Sequence, residues 1–494
     1  MDENNIQILN EEAYDSKSGK GFKRIFKNFS FLTLGKISGD FFTFILFVVL
    51  SRKFGQEGIG QYSFAVGLGG FFAICSDFGL YSYTVKEVSR NKNSFESYFQ
   101  KIFSLRLAQS IIVIILLIVC IPFLSFSIET KSVILIIGIY QIIYSSIDGI
   151  SAVFIAYEYM HISAGIESSL KIITSFAAIS IALLGGSIVI SLLALPILAS
   201  AQFFIVILVL KKKIGSSKLS FKFSILKETF KHAIPFGASD FLNQLYARID
   251  IVLIGFLLGE SFAGLYNVGY RIVFFLLFIP KFSSITIFPI ISKLYHESKF
   301  EFQKMYNKSL NMMLIIGLPI SAGLYLIAPG FVELIFGSKF YESSIVLRIL
   351  SGLFVLSCLS YLMEIFLMAS DNQKARAKVQ FIATIVSVAL NFIFILLFKI
   401  NGAAVSVIIS TIFLLVVFGI KLKPITGFPD IKSRFAISSL GIVIFLILFW
   451  VIHTSIFVII PVSILIYVIT MLMFKTVREN ELRMVLDLVR GRNR

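Results

Sequence analysis

Apolar runs of about 20 residues, bounded by charged or turn residues, recur along the chain, and a run of that length crosses a bilayer core as an α-helix. The pattern predicts about fourteen such spans, centred from Ile45 and Leu68 through Ile251 and Ile412 to Phe445 and Tyr467. The runs are continuous and lack the period-two alternation of barrel strands, so helices that satisfy their own backbone groups are expected. The first run follows a polar stretch of about thirty residues and has no small-residue cleavage site after it, which reads as a span and not as a cleavable leader.

Within this pattern one phrase occurs twice. FGQEGIGQY, Phe54 to Tyr62, and LGESFAGLY, Leu258 to Tyr266, share the spacing G-x4-G-x-Y, and each joins the first two spans of a six-span block. An even number of spans per block makes the repeats parallel, related by an axis along the membrane normal. The glycines are expected to make tight turns outside the membrane. The division that follows is a cytoplasmic tail over 1–30, an N-lobe over 31–210 with helices 1–6, and a basic cytoplasmic linker over 211–232. A C-lobe over 233–421 with helices 7–12, helices 13–14 over 434–474 and a basic cytoplasmic tail over 475–494 complete it. The expected fold class is an all-α polytopic integral membrane protein.

Composition agrees with lipid as the solvent. Hydrophobic residues make up 57% of the 494 positions and charged residues 15%, with 53 Phe and a mean hydropathy of +0.90, against roughly 25% charged for an ordinary soluble domain. The net charge of +17 invites a nucleic-acid reading, which the placement of the cations removes. Most lysines and arginines fall in the tails and on one set of loops, while the opposite loops hold Arg52, Lys53, Lys131, Lys339 and Lys399. That asymmetry is a topology signal that puts both termini in the cytoplasm, and no nucleic-acid partner is expected. The lysine-rich stretch from Lys211 to Lys231 reads as a solvated linker or as a site for anionic headgroups.

Several further stretches carry a family resemblance: LSRKFGQEGIGQYSFA, SDFGLYSYTVKEVSR, IDIVLIGFLLGESFAGLYNVGYRI, APGFVELIFGSKFYESSIVLRIL and INGAAVSVIIS. Over roughly residues 28–475 the chain resembles the oligosaccharide and polysaccharide flippases, the group related to multidrug and toxin extrusion transporters and to the lipid-linked peptidoglycan precursor flippases. The resemblance implies two pseudo-symmetric lobes around a cavity, and alternating access. It also implies transfer of a polyisoprenoid phosphate- or pyrophosphate-linked oligosaccharide from the cytoplasmic to the outer leaflet of the plasma membrane, for cell-surface polysaccharide or glycan assembly. Membrane lipids and glycan-assembly proteins are the other partners it implies. Helices 13–14 would then offer a groove for the lipid tail. A proton- or sodium-coupled exporter of small molecules is the alternative reading.

Ionisable groups within spans are costly toward lipid and usually face protein or water. In the seventh span Asp240, Asn243, Gln244, Arg248 and Asp250 share one helix face. In the first, Lys36 and Asp40 are one turn apart, and in the fifth Glu167 and Lys171 repeat the device. Each pair either neutralises itself inside the bundle or contacts a ligand. Arg106, Asp148, Arg271 and Glu364 also lie within spans, and Asp77 joins the in-span acids. Because arginine makes paired hydrogen bonds to phosphate oxygens, Arg248 and Arg271 are the leading headgroup candidates, with Lys36 as first-lobe counterpart and Lys171 and Arg106 behind them. Asp40 and Asp240, in SGDF and ASDF, lead as coupling acids. Asn243, Gln244, Asp250, Glu167, Asp148 and Glu364 are the other cavity-lining or coupling candidates.

No G-x4-G-K-[ST] loop occurs, the three cysteines are scattered, and the four histidines form no zinc-type motif. No cofactor, metal site or catalytic residue is therefore expected, and the chain reads as a transporter and not an enzyme.

Overall fold

The computed structural model describes residues 19–90, 95, 99–215 and 218–427, with side chains from residue 35 on except that of residue 285. Helices 13 and 14 of the sequence reading, the basic tail over 475–494 and residues 1–18 lie outside the described residues.

Among the described residues every extended regular element is a helix. These are α1 (Gly19–Asp77), α2 (Leu80–Arg90), a π-turn at Phe99–Phe103 leading into α3 (Ser104–Cys120), α4 (Ile128–Ala156), α5 (Met160–Leu183) and α6 (Ile188–Lys213). They continue with α7 (Phe223–Leu257), α8 (Glu260–Leu276), α9 (Phe278–Glu297), α10 (Lys299–Phe336), α11 (Ser343–Ala369) and α12 (Gln373–Thr426). Nine stretches of the described helices are long and apolar enough to cross a membrane. Two of these contain a reversal, α1 at Gly55 and α12 at Lys399. The predicted span centres from Ile45 to Ile412 all fall inside helices. The chain is thus a multi-pass, all-helical membrane protein. The helix α7 is not one of these nine stretches, since Asp240, Arg248 and Asp250 interrupt its apolar run.

Local chemistry sets the ends. Ser127, Ser187 and Ser298 cap α4, α6 and α10, each accepting a backbone N–H three residues on, from Thr130, Ile190 and Glu301. Asp77 does the equivalent for α2: its carboxylate accepts the Tyr81 N–H at 3.2 Å, across a turn in which Phe78 and Gly79 take positive φ. The helix α7 begins at Phe223, nine residues before the end of the expected linker. Thr229 and Ala233 are already buried there, so packing draws the sequence into the helix despite its lysines.

By packing, the chain divides into two compact units, Met1–Gly264 and Leu265–Arg494. The division lies within α8, at the second glycine of the repeated phrase.

In the first unit, Leu80, Val88, Phe99, Phe103, Phe154 and Leu210 share an apolar core with residues of α4, α5 and α7. A seam of glycines runs between the second arm of α1 and α7. A Cβ on Gly67 would meet Ile251 at 2.7 Å, one on Gly70 would run into the Gln244 amide, and one on Gly79 would run into the Gly237 nitrogen. As numbers rise on α1 they fall on α7, so the two helices are antiparallel, joined as small residues join membrane helices, by close backbone approach. Phe64, Phe126 and Phe256 cluster at one end of the seam, with ring centroids 5.0–5.7 Å apart.

In the second unit, Phe302, Tyr306 and Phe366 pack edge to face between α10 and α11. Across the reversal in α12, Ser406 Oγ donates to Asn391 Oδ1 at 2.7 Å. That buried bond between the two arms satisfies polar atoms lipid could not.

The two copies of the repeated phrase have one construction. Gly55 and Gly259 take φ of 70° and 95° and stand in open space, as turn residues. Gly60 and Gly264 are not turn residues; each leaves no room for a Cβ. Tyr62 and Tyr266 are both buried.

Candidate functional site

Seven in-span charged residues of the first unit come together in one layer. It begins with LGKISGD in α1, where Gly35 and Gly39 are one turn apart on the face toward α5. A Cβ on Gly35 would stand 3.0 Å from Ala164 Cβ, and one on Gly39 2.8 Å from the Lys171 stem. The small stripe brings α1 and α5 together and lets the Lys171 side chain cross α1.

The sequence left open whether Lys36 with Asp40 and Glu167 with Lys171 each neutralise themselves or contact a ligand. Glu167 and Lys171 do pair within α5, and the structure joins them to Lys36 and Asp40 of α1 in a square linked along three sides. Lys171 Nζ donates to Asp40 Oδ1 at 2.8 Å and to Glu167 Oε1 at 3.0 Å, and Lys36 Nζ lies 3.7 Å from Glu167 Oε2. Tyr144 on α4 donates its hydroxyl to Glu167 at 3.3 Å. The square has an inside and an outside: the Lys171 and Glu167 side chains are largely buried, whereas those of Lys36 and Asp40 are 56% and 55% exposed.

Behind it lies a second pair. Arg106 on α3, 1% exposed, forms an ion pair with Asp77 and donates to the Ser145 carbonyl at 2.7 Å. Gly149 makes this possible, because a Cβ there would occupy the place of the guanidinium. Asp148 sits half-buried on α4, within electrostatic reach of Glu167, Lys36, Asp77 and Arg106. The layer therefore sets three cations, Lys36, Lys171 and Arg106, against four carboxylates, Asp40, Asp77, Asp148 and Glu167.

The polar face of α7 belongs to the same unit. Asp240, Asn243, Gln244 and Arg248 are half-buried, while Asp250 is buried and takes the N–H of Ile251 at 2.7 Å. Gln244 lies against Gly70 of α1, and Gln141 of α4, which donates to the Val66 carbonyl at 3.0 Å, lies against Gly69. Two amides thus meet a glycine pair in the second arm of α1.

In the second unit Arg271 is half-buried on α8, and Glu364 on α11 is held by Arg376 Nε at 2.7 Å. Lys281 on α9 lies over the rings of Phe274 and Tyr361, 5.3 and 5.5 Å from their centroids.

The sequence reading missed Gly35, Gly39, Gly149 and Tyr144 as parts of the site. A signal for the first two exists in the G-x3-G spacing; nothing local marks Gly149 or Tyr144. No cluster of His, Cys, Asp and Glu able to hold a metal occurs among the described residues.

Known proteins resemble this chain in sequence and in fold. A model of a family described as polysaccharide biosynthesis protein matches residues 49–345. The chain is 27% identical over 201 residues to the probable low-salt glycan biosynthesis flippase Agl15 of Haloferax volcanii, a match that spans 40% of this chain and 42% of that protein. It is 25% identical over 391 residues to the capsular polysaccharide biosynthesis protein CapF of Staphylococcus aureus, across 78% of this chain and 96% of that one. Among solved structures, the lipid II flippase MurJ in an inward closed conformation superposes with a TM-score of 0.73 at 17% identity, over 90% of this chain and 98% of its own. An inward-facing multidrug resistance MATE family transporter of the MOP superfamily reaches 0.59 at 15% identity, over 84% and 95%. At these identities the two structures speak to the fold, which is that of polytopic helical transporters. With well over half of its length matched by the family model, the chain belongs to the polysaccharide biosynthesis protein family.

Proposed function

We propose that the protein is a flippase. It carries a polyisoprenoid phosphate- or pyrophosphate-linked oligosaccharide from the cytoplasmic to the outer leaflet by alternating access, in the assembly of surface polysaccharide or glycan. The observation that carries this reading is the charged layer of Lys36, Asp40, Glu167 and Lys171 inside a membrane-spanning bundle of this family. Such groups are costly toward lipid and mark internal pairing or a polar pathway, and the exposed Lys36 and Asp40 favour the pathway. The flippases among its relatives and structural neighbours support the cargo class.

In this reading the exposed ammonium of Lys36 and the guanidinium of Arg248 are the first unit's groups for the anionic headgroup, and Arg271 is the candidate of the second, since cations in a low-dielectric site bind phosphate oxygens strongly. Asp40, exposed beside Lys171, and Asp240 on α7 are the coupling acids, and Asp148 joins them because the layer has one carboxylate more than it has cations. A proton or monovalent cation would balance it. Arg106, engaged by Asp77 and Ser145, acts as an internal tie. Both termini face the cytoplasm, as the distribution of basic residues supports, and the chain carries out no covalent chemistry.

The test is transfer of a labelled polyisoprenoid-pyrophosphate oligosaccharide across liposomes containing the purified protein, read by enzymatic access to the glycan. Transfer above empty liposomes is expected, with a dependence on a proton or sodium gradient. Gradient-driven efflux of small organic cations without glycolipid transfer would replace the reading with that of a small-molecule exporter.

A further inference from the structure

Between α6 and α7 the chain does something a solvated connector has no reason to do. Residues 218–222 are non-helical, and Lys222 has extended backbone, φ −64° and ψ 119°. The stretch is pinned to the bundle at its middle, where the Ser220 N–H donates to Ser104 Oγ at 2.9 Å. Leu219, Phe221 and Phe223 are 43%, 55% and 79% exposed.

Isolated apolar residues at a surface are ordinary, and within a span they face lipid. These three stand outside the apolar runs, among Lys218, Lys222 and Lys227, all exposed. Lys211, Lys212 and Lys213 end α6 just before, and Glu228 is the one acid from Lys211 to Lys231. The helix α7 has 35 residues, which at about 1.5 Å each exceeds the roughly 30 Å of a hydrocarbon core. Its charged first turns then project to the level of the headgroups. Exposed aromatic and aliphatic side chains with lysines among them, at that depth, are the chemistry of interfacial membrane binding.

We propose that residues 218–227 form a lipid-binding strap. Leu219, Phe221 and Phe223 enter the boundary between headgroups and acyl chains, and Lys218, Lys222 and Lys227, backed by the lysines that end α6, hold anionic phospholipid headgroups. The strap fixes the start of α7, and with it the polar face that carries Asp240 and Arg248, to the membrane surface. The proposal requires only that α6 and α7 span the bilayer, so it is tested without any transport assay.

The protein has one tryptophan, so full-length protein with Trp450→Phe and Phe223→Trp in vesicles reports on this position alone. Blue-shifted emission quenched by phosphatidylcholine brominated near the carbonyl end of the acyl chain is expected. Water-like emission quenched by acrylamide would overturn the insertion, as would blue-shifted emission untouched by brominated lipid, which would mean that protein covers the site. Phe221→Trp must give the same answer, and Phe236→Trp, away from the strap, controls for folding. For the charge, bound phosphatidylglycerol is counted by native mass spectrometry. Lys218→Gln with Lys222→Gln and Lys227→Gln should lower its retention by roughly fivefold per lysine, while the corresponding arginine variants retain it. Equal retention in the glutamine variants would remove the anionic headgroup from the proposal.

Discussion

Gly60 and Gly264 lie back to back: a Cβ built on Gly60 would run into the Glu260 carbonyl and stand 3.2 Å from the Gly264 nitrogen, and one on Gly264 would run into the Gln56 carbonyl and stand 3.0 Å from the Gly60 nitrogen. The same position of the repeated phrase thus meets its own counterpart. Beside it, Thr130 Oγ1 donates to Glu260 Oε1 at 2.8 Å, a hydrogen bond that locks the start of α4 to the start of α8.

Gly60→Ala and Gly264→Ala should each destabilise the protein by about 1–3 kcal/mol, because added methyls meet backbone that cannot move aside. Gly165→Ala, in a helix with nothing within 4 Å of the new methyl, should be neutral or slightly stabilising, since alanine prefers the helix by about 1 kcal/mol. Thermal unfolding in detergent separates the three; equal melting temperatures would mean that the Gly60 contact opens without cost.

The Arg106 tie should be structural. Arg106→Ala leaves Asp77 without its cation in a largely buried setting, a loss of about 3–5 kcal/mol, and Gly149→Ala should mimic part of it by displacing the guanidinium. Asp77→Asn combined with Arg106→Gln should recover stability over Arg106→Ala alone. A double-mutant cycle with no coupling between positions 77 and 106 would contradict the pairing.

The square should divide by depth. Lys171→Met brings two carboxylates, Asp40 and Glu167, together without their shared cation, and should lower the melting temperature markedly. Lys36→Gln and Asp40→Asn, at exposed corners where ion pairs contribute at most about 1 kcal/mol, should leave stability nearly unchanged and alter glycolipid transfer or its gradient dependence. Comparing transfer with melting curves for the three variants decides this.

Arg248→Ala together with Arg271→Ala should abolish glycolipid transfer in liposomes while the protein still melts cooperatively. Each charge-assisted hydrogen bond is worth about 1.5–3 kcal/mol, so each single variant should lose about tenfold or more. Unchanged transfer by the double variant would remove both residues from the mechanism.

Much of this was legible in the chain because hydropathy and turn chemistry are local. Runs of apolar residues mark spans wherever they occur, and the open left-handed positions of Gly55 and Gly259 follow from a glycine at a reversal. The motif at LGKISGD shows where local reading stops. Lys36 and Asp40 are one turn apart, a spacing that allows them to pair, yet Lys171 pairs with Asp40 across 131 positions of sequence. An i,i+4 spacing permits a pair and does not forbid a better one on a neighbouring helix.

By itself, then, the sequence determined that this is a multi-pass helical membrane protein with a repeated hairpin phrase and with charges inside its spans, since each of those properties belongs to a segment and its solvent. Only the tertiary structure decided that Gly60 meets Gly264, that Gly39 makes way for Lys171, and that Arg106 belongs to Asp77. Those choices depend on which helix faces lie together and how closely. In a membrane, where apolar faces are interchangeable between helix and lipid, small residues and buried polar partners settle the packing, and their matches lie far apart in the chain.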